Sequence, residues 1–176
     1  KMREFGEVLP VPEERLLPAE EGKVIRLGER LIEIWETPGH ARHHVCYYDY
    51  RTKGLFSGDA AGMYVPRLSK LLGFPITRPV SPFPDFNGEL ALKDLSRIAL
   101  SNAQKIYFTH FGVASPAQLL ATLVLGQLFM QMQISRDYLM GGGKDFSGLS
   151  LAIRKHIKKE LSRCLAEKNI SEDQVS

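Results

Sequence analysis

The chain has 176 residues, of which 44% are hydrophobic and 24% charged, enough apolar material for a real core and too much for a disordered segment. A net charge of +3 is too mild to mark a nucleic-acid binder on electrostatic grounds. Its two cysteines, Cys46 in a strand-like run and Cys164 in a helix-like run, read as thiols of a reducing, cytoplasmic setting rather than as a disulfide framework.

Residues 1–22 are rich in Pro and Glu and predict an extended connector with at most a short helical turn. No secretory signal pattern is present, and Lys1 stands where an initiator Met is expected, which suggests a chain that begins inside a longer protein. Lys23–Leu27 and Leu31–Glu36 read as two strands around a turn at Gly28-Glu29-Arg30, a hairpin signal. The latter strand runs into Thr37-Pro38-Gly39-His40-Ala41-Arg42-His43-His44. Pro38 lacks a donor and Gly39 admits backbone angles closed to other residues, so the strand ends abruptly with His40 at a loop tip.

Val45–Tyr50 and Leu55–Ser57 follow as third and fourth strands, and the tight sequential spacing predicts an antiparallel meander. Gly58-Asp59 closes the fourth. Residues 66–84 hold several prolines and little periodicity and predict a long irregular loop. Asn87 is placed to cap a helix from Gly88 to about Ser101, with Leu92, Leu95, Ile98 and Ala99 as its apolar stripe. Lys105–Phe108 reads as a fifth strand that ends at Thr109-His110-Phe111-Gly112.

Ser115-Pro116 predicts a helix start with Ser as cap and Pro at the first helical position. The following stretch, from Ala117 to Leu139, is apolar on more than one face. Its glutamines argue against a membrane span, and the surplus apolar surface predicts packing on a further helix, a second subunit, or both. Gly141-Gly142-Gly143 breaks the chain before a last helix, roughly Leu149–Lys168. The basic face of that helix reads as solvated surface rather than as a nucleic-acid site.

His40, Asp59 and His110 each follow a predicted strand, and all three stand at loop tips on the same side of this layout. Two imidazoles and a carboxylate suit zinc, iron or manganese, and a carboxylate can bridge two ions because its oxygens diverge. A histidine-rich surface loop and an ordinary Gly-Asp turn are the plain alternatives, and spacing alone leaves both readings open.

Thr37-Pro38-Gly39-His40, with His44 four residues on, then Val45-Cys46-Tyr47, Leu55-Phe56-Ser57-Gly58-Asp59 and Phe108-Thr109-His110-Phe111-Gly112, resemble the metallo-β-lactamase superfamily, closest to its glyoxalase II-like hydrolases. The resemblance covers about residues 23–115. It implies an α/β fold, the second half of an αββα sandwich with a mainly antiparallel sheet, followed by a helical extension over 116–176. It further implies two divalent metal ions, zinc first with iron or manganese as alternatives. His40 would ligate one ion, Asp59 would bridge both, His110 would ligate the other, and His44 would orient the loop from behind.

The sequence departs from that family in one respect. The His-x-His-x-Asp-His motif that supplies the remaining ligands and the water-handling residue precedes the Thr-Pro-Gly-His segment, yet residues 1–39 contain no histidine. The catalytic residue is therefore unknown from this sequence. The expectation is a metal-dependent hydrolase of an ester, thioester, lactone or similar bond in a small-molecule substrate, with this chain holding metal weakly and inactive alone. The alternative is a non-catalytic interaction module built on half of the fold.

Overall fold

The computed structural model describes residues 9–82, 84–110 and 112–171. Within the expected connector, residues 1–8 lie outside this range; the remainder runs exposed, with one 3-10 turn at Glu13–Arg15.

The hairpin forms as its turn chemistry dictates. Strands β1 (Val24–Leu27) and β2 (Arg30–Glu36) pair antiparallel, with Leu27 opposite Arg30. Strands β3 (Val45–Asp49) and β4 (Gly54–Gly58) continue the meander, Ile34 facing Tyr47 and Tyr47 facing Phe56. The meander then stops. β7 (Lys105–Phe108) pairs with β4 in parallel, and β8 (Gly112–Ala114) pairs back on β7, so the sheet is mixed with order β1-β2-β3-β4-β7-β8. A parallel neighbour requires a crossover. Here it contains the hairpin β5 (Met63–Tyr64) and β6 (Thr77–Arg78), helix α1 (Pro66–Leu72) and helix α2 (Gly88–Leu100).

The segment expected to be one irregular loop thus holds a helix and a small second sheet. Pro66 stands at the start of α1, where a proline costs no hydrogen bond, and Gly73 closes it in the left-handed conformation. The prolines that obscured its periodicity are its punctuation. Asn87 caps α2 as expected, its side-chain oxygen accepting from the Leu90 N–H at 3.0 Å. The expected cap at Ser115 is not made. Helix α3 (Ala117–Met140) has Pro116 itself in the cap position with no side-chain bond. Helix α4 (Phe146–Glu167) begins earlier than its periodicity suggests, because Asp145 accepts from the Gly148 N–H at 2.7 Å.

Alternate residues of the sheet point to opposite faces. Trp35, Cys46, Tyr48, Leu55, Ile106 and Phe108 lie on the helix-covered side and form the main core with Ile98, Ala117, Leu120 and Ala121. Ala91 and Leu95 of α2 meet Val124 and Leu128 of α3 in a second cluster, and Leu72, Ile76 and Leu165 tie α1 to α4 in a third. On the other face Tyr47 and Phe56 are each 40% exposed, which is high for aromatics in the middle of a sheet. Helix α3 passes for a membrane span by length and composition alone, yet Leu120, Ala121, Val124 and Leu128 are buried while Phe129 and Met130 are exposed.

Cys46 is fully buried, its Sγ 3.3 Å from the Ser57 carbonyl, and burial pushes its thiol up to about 12. Cys164 is half-buried on α4. Because thiolate character and access govern reactivity, a disulfide-exchange reagent should titrate one thiol in the folded protein and two after unfolding. Rapid reaction of both thiols in the native state would contradict this core placement.

Candidate metal centre

Strands β2 and β4 run the same way, both antiparallel to β3, and β7 is parallel to β4. Their C-terminal ends therefore share one edge of the sheet. His40 follows β2, Asp59 follows β4 and His110 follows β7, so the topology alone delivers the three to one place. The side chains meet there. His40 Nε2 lies 3.7 Å from Asp59 Oδ2, and His110 Nε2 lies 3.6 Å from Asp59 Oδ1. These separations are too long for hydrogen bonds. They are close to the spacing of about 3.4 Å expected for two ligands each about 2.0–2.1 Å from a tetrahedral ion.

Among the described residues no group of three such side chains closes around a single point. The arrangement is instead two histidine–carboxylate pairs that share Asp59, one on each oxygen. Oδ1 of that carboxylate is buried and has no hydrogen-bond partner, a costly state for a polar atom unless something else satisfies it. His40 Nδ1 is 3.3 Å from the Val80 carbonyl, so Nδ1–H donates there and Nε2 is the nitrogen that faces Asp59. Behind His40 a small cavity of about 10 Å³ is lined by Pro79, Val80, Phe86 and Leu128, room for about one water. Two imidazoles and a carboxylate with an unsatisfied oxygen are a donor set whose chemistry suits a divalent ion.

His44 does not join them. Its Nδ1 is 2.7 Å from Thr37 Oγ1, and its Nε2 accepts the Asp59 N–H at 3.2 Å. That acceptor role requires Nε2 unprotonated, and Nδ1–H then donates to Thr37. Burial pushes the His44 pKa down, and neighbouring His40 adds to the effect while Asp59 opposes it. Thr37 is fully buried, and its N–H donates to the His44 carbonyl at 3.0 Å. The segment carrying His40 is thereby closed on itself and tied to the one carrying Asp59. His43 is exposed.

Two contacts were not visible in the sequence. Helix α2 clamps Gly39 from both sides: the Asn87 N–H donates to the Gly39 carbonyl at 2.8 Å, and the Gly39 N–H donates to Asp94 Oδ2 at 2.8 Å. A Cβ at Gly39 would stand 2.1 Å from the Ala91 nitrogen, so glycine is needed for close approach. Burial pushes the Asp94 carboxyl up, opposed by the Gly39 N–H and Arg97. Nothing in the spacing of Gly39 and Asp94 announces that bond. The Val80 carbonyl is the second such contact, since a backbone acceptor carries no residue signature.

Residues 2–110 match the Metallo-beta-lactamase superfamily. The chain belongs to that superfamily. Members typically bind metal ions, in keeping with the donor set around Asp59. Among curated relatives, the acyl-coenzyme A thioesterase MBLAC2 of Gallus gallus is 48% identical over 52 residues, covering 30% of this chain and 18% of the relative. The hydroxyacylglutathione hydrolase of Methylobacterium sp. (strain 4-46) is 32% identical over 87 residues, covering 48% and 33% respectively. This superfamily chain thus matches at most about a third of the length of these relatives. Of solved structures, the Sulfolobus tokodaii metallo-beta-lactamase superfamily protein aligns with TM-score 0.55 at 22% identity, over 71% of this chain and 43% of that one. At that identity the likeness speaks for the fold alone.

Gly58 has φ +50°, and a Cβ there would come 2.4 Å from His44 Nε2. Gly58→Ala therefore meets both a left-handed backbone and the bracing imidazole. It should lower stability by about 1–3 kcal/mol in urea unfolding. An unchanged midpoint would show that His44 does not brace this turn.

Proposed function

We propose that the chain is the part of a metal-dependent hydrolase that carries His40, Asp59 and His110, and that the intact enzyme cleaves an ester or thioester. The observation that carries this reading is the shared carboxylate: two histidines face opposite oxygens of Asp59, and one of those oxygens is buried without a partner. Two divalent ions held there would supply a water whose pKa is lowered to about 7 and a Lewis acid for the acyl oxygen.

The chain's own part is holding and aiming. His40 is fixed by Val80 and presents Nε2. Asp59 offers one oxygen to each side, its backbone held by His44. The His110 side chain is 50% exposed, so it stands on the side from which a substrate would arrive. The water-handling residue implied by the family resemblance belongs to the motif this sequence lacks, which leaves this chain the ligand role and not the proton-transfer role. The relatives named as a thioesterase and as a hydroxyacylglutathione hydrolase support an acyl bond as the target.

Metal analysis and a thioester and phosphodiester hydrolysis screen test the proposal, run on this chain and on a longer polypeptide that carries it together with the family's first motif. The short chain should bind metal weakly and hydrolyse nothing efficiently, because catalytic zinc takes three protein ligands. The longer one should bind metal and cleave a thioester. His40→Ala and Asp59→Ala in the longer form should each lose more than the roughly 10–100-fold typical of outer-shell substitutions. Full activity from the short chain would overturn the mechanism. A longer chain with neither metal nor activity would favour the second reading, an interaction module, which the exposed sheet face around Tyr47 and Phe56 supports.

Self-association belongs to the same proposal. With Phe129 of α3 51% exposed and the aromatic sheet face open, this chain should sediment as a dimer or larger at micromolar concentration. A clean monomer would remove that part of the reading.

A further inference from the structure

Away from the metal centre, α1, β6, α3 and α4 enclose a cavity of about 390 Å³, within the range of small-molecule sites. None of His40, His44, Asp59 or His110 lines it. Its walls are mostly apolar, with Leu72, Ile76, Leu123, Met130, Ile157 and Leu161 among them.

Of the polar side chains in that lining, two stand out by their burial. Arg78 is half-buried; its Nη1 donates to the Thr77 carbonyl at 3.0 Å, and among the described residues no carboxylate pairs with it. Burial depresses its pKa, as expected for a cation kept from water. The side-chain oxygen of Gln127, also in the wall, is buried with no hydrogen-bond partner. Glu160 and His156 line the cavity as well; the Glu160 carboxylate is paired with Arg163 Nη2 at 2.8 Å where both side chains are exposed, whereas the half-buried Arg78 has no carboxylate within ion-pair distance among the described residues. A guanidinium with donors to spare recognises a planar anion through paired hydrogen bonds.

We propose that this cavity is a binding site for a small molecule with a carboxylate head held by Arg78 and an apolar body packed between α3 and α4. Gln127 is the second polar anchor and takes a hydroxyl or amide N–H of the ligand where one is present. The site is independent of the hydrolase reading, because no part of the argument uses the metal centre.

The probes are octanoate, n-octanol and acetate, added to the chain and followed by amide chemical shifts and thermal melting. Octanoate should shift the resonances of Leu123, Ile157 and Leu161 and raise the melting temperature, and acetate should do neither. Arg78→Gln should weaken octanoate at least tenfold and leave octanol unchanged. At Gly126 on α3, which also lines the cavity, a Cβ would meet nothing within 4 Å, so Gly126→Leu has open space at its first carbon and should occupy the cavity. That variant should lose both octanoate and octanol while melting at or above the parent temperature. Octanoate binding no tighter than octanol, or insensitive to Arg78→Gln, overturns the assignment of the head. Octanoate binding that survives in Gly126→Leu, or no binding of either probe to the parent chain, overturns the site itself. If Arg78→Gln does not fold, the Gly126→Leu result decides. Neither readout involves metal or hydrolysis, so this proposal and the previous one fail separately.

Discussion

The His44 imidazole is what joins the loop ends into a site. One ring nitrogen faces the Thr37 hydroxyl and the other accepts the Asp59 N–H, so a single planar group fixes the distance between the end of β2 and the end of β4. Each strand end alone is a turn with many accessible conformations, and ordering it costs about 1–2 kcal/mol per residue. A rigid ring that makes two hydrogen bonds in one plane offsets part of that cost. It also leaves the Asp59 backbone already committed, with its side chain between His40 and His110. The glycine at position 58 follows from the same constraint, because a Cβ there would collide with the ring.

A second layer of support comes from α2. The helix reaches the same loop through Asn87 and Asp94, both bonded to Gly39. Arg97 of the same helix lies over the Trp35 ring at 4.7 Å and donates to Glu21 at 3.0 Å. The carboxylate stands two turns after the cap and the guanidinium about one turn further, so one helix face connects the His40 loop, the end of β2 and the chain preceding β1. The loop tips are therefore held by backbone and side-chain bonds to regular elements, as expected where positioned side chains must act together.

Much of this was legible in the residues themselves. Alternation of apolar side chains placed β2, β3 and β7 within a residue of their observed ends, and Asn87 announced its helix. The pattern of strand, break and metal-capable residue, repeated three times, placed His40, Asp59 and His110 at one sheet edge. What escaped has physical causes. Helix α1 is short and bounded by Pro66 and Gly73, so its two turns carry too little periodicity to stand out from the loop chemistry around them. The β5–β6 pair consists of two-residue strands, whose pairing is decided by tertiary packing and not by propensity. Ser115 fails as a cap because Pro116 already occupies that position. The bonds that orient His40 and Gly39 come from a backbone carbonyl and from a carboxylate 55 residues away, and neither leaves a local pattern.

The parallel pairing of β4 with β7 has a bearing on how the molecule comes together in time. His40 and Asp59 are brought near each other by successive hairpins, which close short loops and form early. His110 follows β7, which can dock on β4 only after the whole crossover with α1, the β5–β6 pair and α2 has been brought round. Long-range closures of that kind are slow because chain entropy is lost before contacts are gained. The approach of His40 to Asp59 is therefore expected to precede the arrival of His110 beside the other oxygen of that carboxylate.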